Sequence, residues 1–293
     1  MPETVTRTAV LSACDDAGSG RPLLLVHGWG VHAGFFRHQR SALAGHFRVI
    51  APDLRGHRRA YRPGELPTVP MLADDLRALA EALDLREALV VGWSMGALAL
   101  WRALAEGLAP RVAGMVVIDM TPRVLNGADW TLGLLGQPPA GPAFAGQLAA
   151  AIAAMRADWP GYCPRVARRI FAAGHDAERQ ALMDWCTAEI AGNDGATMAS
   201  LWESLTAEDV RHLLPGITTP TLIAHGALSQ LYGPATADYL EQTLPVASRR
   251  AFASSGHAPH LEEPEAFNRA LVRFADALPG RAPASVTVPT SPA

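Results

Sequence analysis

The stretch that most restricts this chain is Ala88 to Ala99, which reads Ala-Leu-Val-Val-Gly-Trp-Ser-Met-Gly-Ala-Leu-Ala. A short apolar run ends in Gly92-Trp93-Ser94-Met95-Gly96, and a helix-like Ala/Leu segment follows at once. A continuous apolar run of this length suits a strand buried on both faces. Strand, sharp turn and helix in direct succession force the central residue into a strained backbone conformation, so its neighbours must carry almost no side chain. Gly-x-Ser-x-Gly meets that demand. It holds the Ser94 hydroxyl above the sheet edge, at a helix N-terminus whose N–H groups and field favour developing negative charge. We read Ser94 as a nucleophile, against the alternative of a tight turn with an idle serine.

The rest of the chain continues the alternation. Apolar runs at Leu23 to His27, Phe47 to Ala51, Val112 to Ile118, Pro220 to His225 and Arg249 to Phe252 read as strands. Helical spacing appears over Phe36 to Ala44, Met71 to Leu83, Thr236 to Leu244 and Glu265 to Leu278. Residues 1–20 read as an edge strand or hairpin with a turn at Asp15 to Gly20. Strands alternating with helices imply a mostly parallel sheet flanked by helices on both faces, an α/β fold. A hydrophobic content of 49% is enough to fill such a core.

From Thr121 to about Leu205 the alternation stops. A loop at Gly136 to Pro142 precedes helices expected over Phe144 to Met155, Arg165 to Gly174, Ala177 to Ile190 and Ala196 to Leu205. The expected organisation is a core of residues 1–120 and 206–278, a helical cap of residues 121–205, and a Pro/Ala/Ser/Thr-rich tail, 279–293, that reads as disordered. Trp93, Trp130 and Phe144 are assigned to a substrate pocket, while most other aromatics of the insertion are expected to pack its own small core.

A net charge of −3 argues against generic nucleic-acid binding. No apolar run approaches the length of a membrane span, and the first twenty residues lack the apolar segment of a signal peptide. Cys14, Cys163 and Cys186 are scattered, odd in number and without metal-ligand spacing, which points to a reduced, cytoplasmic protein with no metal. All 25 basic residues are arginine, so an arginine here signals less than usual.

His27-Gly28-Trp29-Gly30 follows the first buried strand. Two glycines around one residue let its backbone N–H point into a cleft. The proposed oxyanion hole pairs the Trp29 N–H with the Met95 N–H. Asp53 is read as tying down its own loop through hydrogen bonds to backbone. His257, in Ser254-Ser255-Gly256-His257-Ala258-Pro259, lies after the last short strand and before the last helix. It is the best-placed histidine to act as base; His260 is read as a loop-surface or cap-contact residue.

On Leu25-Val26-His27-Gly28-Trp29-Gly30, Asp53-Leu54 with Gly56, Gly92-Trp93-Ser94-Met95-Gly96, Asp209-Val210-Arg211-His212-Leu213-Leu214 and His257-Ala258-Pro259, the chain resembles the α/β-hydrolase superfamily over roughly residues 5–278. Within it, the chain is similar to the pimeloyl-acyl-carrier-protein methyl ester esterase group. The resemblance implies a carboxylesterase with a helical cap, no cofactor, and a carrier protein docking on cap arginines such as Arg156, Arg165, Arg168 and Arg169. A solvated helix face is the alternative for that cluster. It also implies the chain order serine, acid, histidine. In most members the acid sits where this chain has Ser229. Some members place it one strand earlier, where Asp119 stands. Asp119 is therefore assigned as the group that orients His257, with two alternatives left open: Ser229 or water orients the base, and Asp119 only caps a turn. The expected function is hydrolysis of a carboxylic ester or thioester through an acyl-enzyme. Acyl transfer, carbon–carbon bond hydrolysis and non-catalytic ligand binding under the cap are the competing readings.

Overall fold

The computed structural model describes residues 13–136, 141–174 and 176–278, without the side chains of Pro142, Ala143 and Phe144. The expected disordered tail and most of the first twenty residues lie outside these limits, as does the side chain of Phe144.

Among the described residues seven strands form one sheet: β1 (Cys14–Gly18), β2 (Pro22–Val26), β3 (Arg48–Pro52), β4 (Ala88–Trp93), β5 (Val112–Ile118), β6 (Thr221–Gly226) and β7 (Ala247–Phe252). Their spatial order is β1-β3-β2-β4-β5-β6-β7. Of these seven, only β1 is antiparallel to its neighbour. Every residue of β4 and β6 is buried, as covering on both faces requires. β1 runs through the segment expected to turn at Asp15. Its acidic residues are tolerated because it is an edge strand, and Asp16 is paired with Arg48 of β3 at 2.9 Å.

Helices α1 (Arg37–Leu43), α2 (Val69–Ala82), α3 (Met95–Ala103), α8 (Pro234–Thr243) and α9 (Pro264–Ala277) flank the sheet. Between β5 and β6 the chain leaves the sheet for α4 (Pro142–Ala157), α5 (Trp159–Ile170), α6 (Ala177–Ala191) and α7 (Gly195–Ala207). α5 packs on α6, and α4 on α7. α5 starts six residues before its expected position. Asp158 caps it by accepting from the Gly161 N–H at 2.9 Å, and Pro160 sits in the first turn, where no N–H is needed. α5 also ends earlier, because Phe171 is extended at φ −100°, ψ 162°. Among the described residues no helix is long and apolar enough to cross a membrane.

This topology gathers the candidate residues on one side. Gly28, Ser94, Asp119, Ser229 and His257 all follow the carboxyl ends of parallel strands (β2, β4, β5, β6 and β7), the edge where open α/β sheets meet ligands.

Candidate active site

Ser94 joins β4 to α3 at φ 53°, ψ −124°, a conformation L-residues rarely adopt. It occupies the N-cap position of α3 but makes no side-chain cap bond; its carbonyl accepts from the Ala97 N–H at 2.8 Å. A serine at that position in an ordinary turn would cap the helix. Here the strained backbone turns the hydroxyl toward a cavity, and among the described residues it has no hydrogen-bond partner. The flanking glycines are obligatory. A Cβ on Gly92 would lie 2.5 Å from Ala97 Cα, and one on Gly96 would meet the carbonyl oxygens of Val26 and His27.

His257 is 3% exposed and Asp119 4%. His257 Nδ1–H donates to Asp119 Oδ2 at 2.6 Å. With the proton on Nδ1, Nε2 keeps its lone pair. Asp119 lies at φ 43°, a second strained non-glycine position, and its N–H donates to Ala224 O at 2.9 Å. The ring's own backbone is fixed from two sides. Trp93 Nε1 donates to His257 O at 2.9 Å, and His257 N donates to Ile170 O at 2.8 Å. Ser229 makes no side-chain hydrogen bond to His257. Its hydroxyl donates to Asp119 Oδ2 at 2.7 Å while its Oγ receives the Leu231 and Tyr232 N–H groups at 3.2 and 3.3 Å.

The loop after β2 is clamped by groups the sequence reading passed over. His27 Nδ1–H donates to Gly28 O at 2.8 Å, and its Nε2 accepts from the Leu54 N–H at 2.8 Å. His57 Nε2 accepts from the Gly30 N–H at 3.1 Å, and its Nδ1–H faces Arg55 O at 3.2 Å. Burial pushes His57 down to about 4, and burial also holds His27 well below the ordinary imidazole range. Both rings are therefore neutral, as their accepting nitrogens require. Asn193, in the turn between α6 and α7, donates to Gly30 O at 2.6 Å. Asp53 fastens its loop to the segment after β2 by accepting from the Ala33 N–H at 2.9 Å; within its own loop its partner is the Arg59 side chain, at 2.6 Å, and not the backbone. The only sequence signal for the two histidines was their contact with glycines, in His27-Gly28 and Gly56-His57.

A cavity of about 480 Å³ opens over Ser94 and His257. Trp29 and Trp93 line it from the sheet side, and Leu148, Val166 and Trp202 line it from the inserted helices. Met95 is fully buried; its N–H belongs to the first turn of α3, where no carbonyl four residues back can accept it. Trp130 does not line the cavity. Its indole N–H donates to Arg123 O at 2.8 Å and its ring meets Tyr239 edge-on, so it packs the base of the insertion. His260 is not at the surface either. It is fully buried against Phe36 and Trp93, whose centroids lie 4.9 and 4.5 Å away. In the arginine cluster, Arg165 and Arg169 reach the cavity rim, and Arg156 pairs with Glu203 at 2.9 Å.

A mostly parallel sheet flanked by helices, with a strained serine after one strand and a buried carboxylate–imidazole pair after two others, has the architecture of an α/β hydrolase fold. Residues 23–270 match the alpha/beta hydrolase family, and the chain belongs to it. Pimeloyl-[acyl-carrier protein] methyl ester esterase from Vibrio vulnificus is 30% identical over 264 residues, 88% of this chain and 95% of its own. AB hydrolase superfamily protein YisY from Bacillus subtilis is 27% identical over 266 residues, 89% of this chain and 94% of its own. Among solved structures, an esterase from Exiguobacterium antarcticum superimposes with a TM-score of 0.81 over 90% of this chain and 95% of its own; at 24% identity this is a likeness of fold.

Proposed function

We propose that the chain is a serine esterase that hydrolyses carboxylic esters through an acyl-enzyme. The observation that carries this reading is the 2.6 Å His257–Asp119 bond, which leaves Nε2 basic beside a cavity shared with an uncapped, strained Ser94. In the proposed reaction, Nε2 takes the Ser94 proton as Oγ attacks the acyl carbon. The imidazolium is stabilised by Asp119 and gives its proton to the leaving alkoxide. The Trp29 and Met95 N–H groups stabilise the oxyanion; a single such donor is commonly worth about 100- to 1,000-fold in kcat. Water, activated by the same histidine, then releases the acid and restores Ser94.

In this reading the helices of residues 121–205 act as a cap that excludes bulk water and supplies the apolar wall for an acyl chain. The named activity of the Vibrio vulnificus relative supports a methyl ester of a carrier-bound acyl group as one substrate class. Arg165 and Arg168, which among the described residues pair with no carboxylate, are the proposed docking points for an acidic carrier.

Two measurements test this. Wild type should hydrolyse a short p-nitrophenyl ester and be labelled at Ser94 by a fluorophosphonate. Ser94→Ala should lose both, with turnover falling by about five to six orders of magnitude. Near-full activity in Ser94→Ala would overturn the mechanism. An unlabelled, silent wild type would favour ligand binding without catalysis.

A further inference from the structure

The turn that carries His257 is fastened to the inserted helices through one buried carboxylate. Glu262 lies in the short helical turn Pro259–Glu262, five residues beyond His257. Its Oε2 accepts from the Gly256 N–H at 2.7 Å, and its Oε1 accepts from the Ala172 N–H at 2.8 Å. Gly256 immediately precedes His257. Ala172 lies just beyond the end of α5. The two segments press together without intervening side chains, since a Cβ on Gly256 would lie 2.5 Å from Phe171 C. One residue away, the His257 N–H reaches Ile170 O. On the other side of the same cap segment, Gln230 Nε2 donates to Phe171 O at 2.7 Å and to Arg168 O at 2.8 Å. Residues 168–172 are thus stitched to the loop that supports the acid and to the loop that bears the base.

We propose that Glu262 is a positioning residue. By holding the Gly256 and Ala172 N–H groups on its two oxygens, it ties the setting of the His257 ring to the seating of the inserted helices. The inference rests on His257 being the base of the proposed reaction. The side chain is 5% exposed and meets its two donors with one oxygen each, a pattern an amide cannot copy because it has a single acceptor. Burial pushes the carboxyl up to about 7, and the two N–H groups and Arg179, whose Nε lies 3.8 Å from Oε1, act in the opposite direction. Glu263, next in the chain, holds the turn from the other side by accepting from Ser254 N at 3.0 Å and Ser255 Oγ at 2.6 Å. Those bonds stay within the His257 loop, so Glu262 alone of the two carboxylates spans to the cap.

A small displacement of a general base costs turnover steeply while leaving substrate binding nearly untouched. In Glu262→Gln, kcat for a p-nitrophenyl ester should fall by about 10- to 100-fold with KM within about twofold. The low-field Nδ1–H proton of His257, followed by NMR, should broaden or shift. A purely structural role would lower the melting temperature but leave kcat and that resonance in place, and this outcome overturns the proposal. If the variant does not fold, hydrogen exchange on the wild type decides the matter. Gly256 and Ala172 amides held by one carboxylate should open together with one protection factor; clearly independent opening overturns the proposal. A wild type without Ser94-dependent activity would sink the esterase reading itself, an outcome separate from either failure of Glu262.

Discussion

Ser229 donates its hydroxyl to Asp119 Oδ2 at 2.7 Å, the same oxygen that receives the His257 Nδ1–H at 2.6 Å. The neutral side chain after β6 therefore bonds to Asp119 and leaves His257 to the carboxylate after β5. Asp119→Asn should keep the fold but lower kcat by about 10,000-fold, because the amide favours the wrong imidazole tautomer. Ser229→Ala should cost only about tenfold, the loss of one of two donors to a charged acceptor. Steady-state kinetics on a p-nitrophenyl ester read both. Equal losses in the two variants would contradict this division of labour.

The same geometry makes the acid transferable. Ser229→Asp alone sets two carboxylates against each other and raises the proton affinity of the pair, so activity should fall and its acid limb should move to higher pH. Combined with Asp119→Asn, the new carboxylate stands alone beside His257. The double variant should recover at least tenfold over Asp119→Asn, by an estimate of roughly one charge-assisted hydrogen bond. No recovery would mean that a side chain at 229 cannot reach the imidazole.

Burial of neutral histidines gives stability a defined pH dependence. His57 falls from its ordinary value of 6.5 to about 4, because burial disfavours the cation and its Nε2 accepts the Gly30 N–H. Between pH 6.5 and 4 the unfolded chain binds a proton there that the folded chain refuses. The contribution is complete above pH 6.5 and lost as pH falls toward 4, on the order of 3 kcal/mol in all. Glu262, raised by burial, acts the opposite way between about 7 and its ordinary 4.5. A comparison of melting temperatures for wild type and His57→Gln cancels that opposing effect. The advantage of the wild type should be largest near pH 7 and shrink by pH 4.5. A constant difference would remove the linkage.

Much of this architecture could be read from residue pattern alone. The buried strands are apolar runs, and Gly92-Trp93-Ser94-Met95-Gly96 admits few backbones, so β4, α3 and the position of Ser94 follow from local chemistry. Other features depended on distant partners. β1 carries Asp15 and Asp16, which signal a turn until Arg48 on the neighbouring strand pairs with one of them. The start of α5 was hidden by Pro160 and Pro164, which look like breakers unless the Asp158 cap is seen. Trp130 and Trp202 are indistinguishable in sequence, yet only the latter reaches the cavity, because its helix α7 packs across the loop after β2. Ser229 read as a gap in the site because its partner lies 110 positions away.

Trp29 offers the sharpest separation between holding the oxyanion loop and lining the pocket. Its indole N–H donates to Met198 O at 2.9 Å, and its ring meets Trp202 and Trp159 at 4.9 and 5.5 Å. Those contacts pin the loop to the inserted helices, while the backbone N–H proposed for the oxyanion remains in any substitution except proline. Trp29→Ala removes the pins and keeps the donor. An acetyl ester has almost no chain to bury against a pocket wall, whereas an octanoyl ester has a long apolar one. If the indole positions the loop, kcat should fall by about 10- to 100-fold for both esters, since a misplaced donor costs the same whatever the chain length. If it serves only as wall, the acetyl ester should be unaffected and the octanoyl ester should lose mainly in KM, because burial of a long chain scales with the apolar area it covers. The three-way contact with Met198, Trp159 and Trp202 favours the first result, and an unchanged kcat for the acetyl ester would exclude it.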